Sequence, residues 1–137
     1  MELRTTLLAD YANVAEGGKL NVMGVFSEIY AVKFPARHPE MTLILQFSVS
    51  PAEIGQMRKL VVKLVDEDGK EGILEYTRDV VIPAFPGHTV RPQINHILRF
   101  RDVIFPHAGV YVFYIQVDKD DKGTCAIVIT QQSEKGK

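Results

Sequence analysis

Phe105-Pro-His-Ala-Gly-Val-Tyr-Val-Phe-Tyr-Ile-Gln-Val-Asp118 decides the fold. A Pro/Gly turn, Pro106 to Gly109, leads directly into a run in which large residues alternate between two faces. Tyr111, Phe113, Ile115 and Val117 share one face, and Val112, Tyr114 and Gln116 share the other. A run this apolar is a strand packed in a core, and the first set is the one expected to face inward.

Working outward from that strand, period-two patterning predicts strands near 3–14, 20–34, 41–50, 57–66, 71–82, 93–105, 110–118 and 124–131. Turn chemistry separates them at Glu16-Gly17-Gly18, Asp68-Gly69, Pro106 to Gly109 and Asp120-Asp121-Lys122-Gly123. Asp68-Gly69 suits a tight hairpin, so 57–66 and 71–82 are expected to pair directly. Leu43, Leu45, Phe47 and Val49 are expected inside, as are Leu60, Val62 and Leu64. Gly24 interrupts the second run and is expected to mark a bulge that lets the strand bend from one sheet to the other. Residues 34–40 read as a proline-bounded link, 51–57 as a short helical turn, and 83–92 as a Greek-key crossing. The spacing Gly109-x-Tyr111-x-Phe113 is similar to the start of the sixth strand of immunoglobulin domains, with Phe113 in place of the disulfide cysteine. The expected fold is therefore all-β: one antiparallel sandwich of about eight strands, an immunoglobulin-like or C2-like Greek key.

The chain of 137 residues suffices for one core, and a domain of this size buries about two-thirds of its unfolded surface. A single domain is expected over 1–131, with 132–137 a disordered tail because it lacks apolar side chains. The formal net charge of −1 gives no basic footprint, and neither a nucleic-acid nor a membrane partner is expected. Leu7-Leu8-Ala9 is stopped by Asp10 well short of a secretory segment, and no apolar run approaches the ~18 residues of a spanning helix. A single cysteine, Cys125, suits a reducing compartment, so a cytoplasmic location is expected.

Leu8-Ala-Asp-Tyr-Ala-Asn-Val14, followed by Gly18-Lys-Leu-Asn-Val-Met-Gly-Val-Phe26, resembles a family of small uncharacterised bacterial β-sandwich proteins. The likeness continues through Ile97-Leu-Arg-Phe100 and Gly109-Val-Tyr111. These motifs are structural. The resemblance implies a compact bacterial sandwich and carries no activity or catalytic residue with it.

The chemistry-bearing residues read mostly as parts of the scaffold. Tyr111 is placed to form a tyrosine corner, its hydroxyl bonding backbone nearby. Asp118-Lys-Asp-Asp-Lys-Gly123 fails as an EF-hand loop, with Lys122 at its fifth position and Ile129 at its twelfth. The surviving metal arrangement joins that turn to Asp66-Glu-Asp68 at one end of the sandwich. His38, His88, His96 and His107 lack the short spacings of zinc ligand pairs, although three lie in or beside proline-rich connections. His96 is expected to be a packed or edge residue. Cys125 has no basic neighbour and is expected to be a structural thiol. No serine sits in a Gly-x-Ser-x-Gly elbow, and Gly17-Gly18 is no phosphate loop. Arg91, Arg99 and Arg101 form a short basic strip, the last two on one face opposite Phe100, as a soluble sheet face does.

No catalytic, cofactor-binding or metal residue is assigned. Ile44, Val61, Val65, Val112 and Tyr114 should point away from the core, and together they suggest a second apolar surface that meets a protein partner or a second copy of the chain, unless a loop or the N-terminal strand covers it. The expected function is a non-catalytic protein-interaction module. The alternative is a metal- or ligand-dependent enzyme using the histidine loops and acidic turns. A sugar- or lipid-binding sandwich is less supported, since the chain has no tryptophan.

Overall fold

A computed structural model describes residues 1–70, 72–85 and 92–133. Among them, nine strands form two sheets. In chain order these are β1 (Glu2–Val14), β2 (Leu20–Val25), β3 (Glu28–Ala31), β4 (Ala36–Ser48), β5 (Met57–Asp66), β6 (Gly72–Val81), β7 (Gln93–Phe105), β8 (Gly109–Val117) and β9 (Asp120–Gln131). One sheet has the order β2-β1-β4-β7, and the other has the order β3-β9-β8-β5-β6. The adjacency β1-β4-β7 facing β9-β8-β5-β6 is the strand order of an immunoglobulin-like sandwich, with β8 as its sixth strand. One pair departs from the expected antiparallel pattern, because β3 runs parallel to β9.

The expected strand 20–34 is in fact two. Gly24, at φ +71°, precedes a crossing in which the Phe26 N–H bonds the Leu8 carbonyl of one sheet. The next carbonyl, that of Ser27, accepts from Val128 of the other sheet. The chain thus changes sheets here, as the glycine suggested. A Cβ on Gly24 would also stand 2.5 Å from Asp10 Oδ2, so both conformation and space require the missing side chain.

Two expectations about loops need correction. Residues 36–40 belong to β4 rather than to a link. Pro39 is tolerated within it because β1 leaves β4 after the pair Ala9–Thr42, so this stretch has a ladder on one side only. The β8–β9 turn is Asp118-Lys119, both at positive φ, rather than Asp120 to Gly123, which lies inside β9. Gly123 is there for space: a Cβ would meet Leu3 Cδ2 at 2.7 Å across the sandwich. The 51–57 segment does hold a short 3-10 turn, Pro51–Glu53. Of the 83–92 crossing and the 132–137 tail, residues 86–91 and 134–137 lie outside the described residues. Gln132 donates its N–H to the Ala31 carbonyl at 2.8 Å, continuing the β3–β9 ladder.

The core lies between the sheets. Leu43, Leu45 and Phe47 of β4, Leu60, Val62 and Leu64 of β5, and Tyr111, Phe113 and Ile115 of β8 are all fully buried. Tyr111 forms the expected corner: its hydroxyl donates to the His107 carbonyl at 2.7 Å and accepts from the His107 N–H at 3.3 Å. Its ring meets Phe105 edge-on at 5.0 Å, so a buried polar atom is satisfied while the aromatic body fills the core. Phe100 stacks on Phe113 at 5.9 Å, closing the β7 side.

Candidate interaction surface

The outer face of the five-stranded sheet is built by the residues alternating with the core set. Cross-strand register places Val65, Val112 and Ala126 on one rung, and Lys63, Tyr114 and Thr124 on a neighbouring one. A further rung joins Val110, Val128 and Glu28. Val61 stands opposite Gln116, whose amide donates to Asp121 Oδ1 at 2.9 Å. Tyr114 is 40 % exposed, Val128 37 % and Tyr30 60 %, while Val61, Val65, Val110 and Val112 are half-buried by their neighbours. The rungs centred on β8 are thus largely apolar, although this side of the sheet faces away from the core.

Val61, Val65, Val112 and Tyr114 therefore share one face, as the alternation implied. Ile44 does not join them. It points away from the core of the other sheet and is fully buried. The reason is the β1–β2 hairpin, which parts from β4 beyond Ala9 and brings Ala12, Leu20 and Val22 against Ile44 and Ile97. Arg99 fixes this arrangement by donating from Nη2 to the Ala12 carbonyl at 3.0 Å, with its guanidinium 5.7 Å from the Tyr11 ring centre. The N-terminal strand thus covers one apolar outer face, and Arg99 is engaged in holding it there. Arg91 lies outside the described residues.

Val110, Ala126 and Val128 were missed in the sequence, although the alternation Thr124-Cys-Ala-Ile-Val-Ile-Thr130 carried the signal. Cys125, Ile127 and Ile129 take the inward positions, which leaves Ala126 and Val128 outward. Burial raises the Cys125 thiol pKa above its usual range, with a partial opposing effect from Thr6.

Charges on the face are partly paired across strands. Lys63 Nζ lies 3.9 Å from Glu75 Oε1, and Lys59 stands opposite Asp79. Glu28, at the β3 edge, accepts hydrogen bonds from Thr130 and Tyr30, and these hold its carboxyl below the usual range.

The metal-centred alternative loses its two-loop version to the register. Asp66 pairs with Tyr111, whereas Leu60 pairs with Val117, beside the Asp118 turn. The two acidic turns are thus about six residues apart along β5, roughly 20 Å, at opposite ends of the sandwich. Asp118 is committed to backbone, accepting from the Lys59 N–H at 2.9 Å. The hollow beside it, about 260 Å³, is lined by Met1, Glu53, Arg58, Asp118, Asp120 and Lys122. Several of these charges are already paired: the Met1 amine lies 2.7 Å from Glu53 Oε2, Arg58 bridges Glu53 and Asp118, and Lys122 reaches Glu2. Burial alone would raise the Glu53 pKa, but bonds from the Met1 amine and the Ser50 N–H, with the Arg58 charge, bring it below the ordinary value.

The described histidines are dispersed. His96 is a packed residue on the inner face of β7, edge-on to Phe47 at 5.9 Å, and burial lowers its pKa. His38 lies seven residues along β4 from the His96 rung, roughly 23 Å away, beside Phe26. His107 stacks on Tyr111, with Nε2 3.7 Å from Asp66 Oδ2. His88 lies outside the described residues. Among the described residues, no group of three or more His, Cys, Asp and Glu side chains converges on a metal position. No described helix is long and apolar enough to cross a membrane.

Among solved structures, the chain is similar to part of a glycosyl hydrolase family 2 member from Bacteroides cellulosilyticus DSM 14838. The match has 15 % identity and a TM-score of 0.41, covering 72 % of this chain and 14 % of that one. No curated protein matches the sequence. Residues 4–130 match a family of unknown function, DUF6941, in keeping with the resemblance drawn from the Leu8–Phe26 motifs, and the chain belongs to that family.

Proposed function

We propose that this protein is a non-catalytic interaction module that docks a protein partner on the outer face of its five-stranded sheet. The observation that carries this is the apolar rung Val65–Val112–Ala126 with Tyr114 beside it, on a face that no described element covers. The contrast within the molecule supports it, since the corresponding apolar surface at Ile44 is covered by the chain's own hairpin. Protein–protein interfaces commonly have centres depleted of charge and polar rims. The single Cys125 and the likeness to bacterial proteins support a place in the bacterial cytoplasm.

The test is affinity capture from the native cell with wild type and Tyr114→Asp, the variant first shown to keep its far-ultraviolet spectrum and melting temperature. Loss of about tenfold or more of one captured protein, with full retention by a control Ile104→Asp on the other sheet, supports the proposal. Equal capture by wild type and Tyr114→Asp contradicts it.

A metal-dependent activity is the second reading, favoured only by the approach of His107 to Asp66. A rise in melting temperature on adding zinc, abolished by His107→Ala, would support it.

A further inference from the structure

We infer that the occupant of this face is a second copy of the same chain, joined about a two-fold axis passing close to Val112; this rests on the outer face being a docking surface at all. Position comes first. β8 is the middle strand of its sheet, and Val112 is adjacent to its middle residue, so the apolar rung lies near the geometric centre of the face. An isologous pair places a residue near the axis against its own equivalent, and valine against valine has no polar group to leave unsatisfied. Lys59 and Asp79 lie toward one end of the strands, where they can form part of a polar rim, and Lys63, beside Tyr114, reaches outward to Glu75 on the edge strand.

Area is the second argument. β8 has nine residues, about 30 Å at ~3.3 Å each, and five strands at ~4.8 Å span about 24 Å. The face therefore offers roughly 700 Å², close to the ~800 Å² per partner of a standard specific interface.

Sedimentation equilibrium of the purified full chain, from low micromolar to near millimolar, tests this. The expected result is a reversible monomer–dimer equilibrium whose Kd rises about thirtyfold or more in Val112→Asp. Ala126→Asp supplies a second variant at an exposed position of the same rung: it sets a carboxylate against the partner's apolar surface and should weaken the dimer likewise. A monomer throughout the concentration range overturns the inference, as does a dimer indifferent to both substitutions. If the chain is monomeric yet still captures another protein through Tyr114, the second-copy inference fails and the docking function stands. If both experiments are negative, both fail.

Discussion

Val112 and Val65 stand directly opposite each other across the β5–β8 ladder, one residue along from the buried pair Phe113 and Leu64. The same two strands thus present apolar side chains to both sides. On the inner side these make the core. On the outer side nothing described in the chain meets them, although half-burial by neighbours moderates their exposure.

The first prediction separates these two kinds of outward valine and isoleucine. Ile44→Ala removes packing beneath the hairpin and should cost about 2–5 kcal/mol in urea unfolding. Val112→Ala, on the open face, should change monomer stability by no more than about 1 kcal/mol. Equal costs would show that the Val112 face is covered too.

Tyr111→Phe keeps the ring and removes the corner hydroxyl. The His107 carbonyl and N–H lose their shared partner, so the expected loss is about 1–3 kcal/mol in the same assay. An unchanged unfolding midpoint would remove the corner from the account.

Gly24→Ala should destabilise by about 1–2 kcal/mol from its left-handed backbone alone, with a further cost from the approach to Asp10. Asp10→Ala, by relieving the clash, should recover part of the loss. Failure of the double variant to do so would place the strain in the backbone only.

Stability should depend on pH through the buried histidines. His96 has a folded pKa below its ordinary value of 6.5 because it is buried and faces the Arg78 charge. His38 is likewise lowered by burial, partly opposed by the Glu40 backbone and Asp10. The unfolded chain therefore takes up protons first. The stability contribution is fully present above about pH 6.5 and is lost as pH falls toward the folded values. His96→Leu should flatten this limb in urea titrations between about pH 5 and 7, leaving the His38 part. An unchanged slope would contradict the assignment.

How much of this was legible follows from which interactions are local. Gly109-x-Tyr111-x-Phe113 announced both the turn and the corner because they involve residues four apart, within one loop and strand. Leu43, Leu45 and Phe47 were legible as core because alternation is a property of the strand itself. Pro39 concealed the first part of β4, since its tolerance depends on where β1 departs, a tertiary fact. Ile44 was misassigned for the same reason: its outward direction is local, but the hairpin over it is not. The acidic turns looked combinable only while the register between β5 and β8 was unknown.

The central claim is that the β8 outer face is occupied by protein in the cell, and photo-crosslinking there tests it most directly. A photoreactive side chain placed at Val112 or Tyr114 should give a discrete protein adduct on irradiation, while the same group at exposed Ile104 gives none. A second copy would appear as an adduct of twice the chain mass, and another protein as a different defined mass. Absence of any adduct from Val112 and Tyr114 in folded, expressed protein would contradict the account.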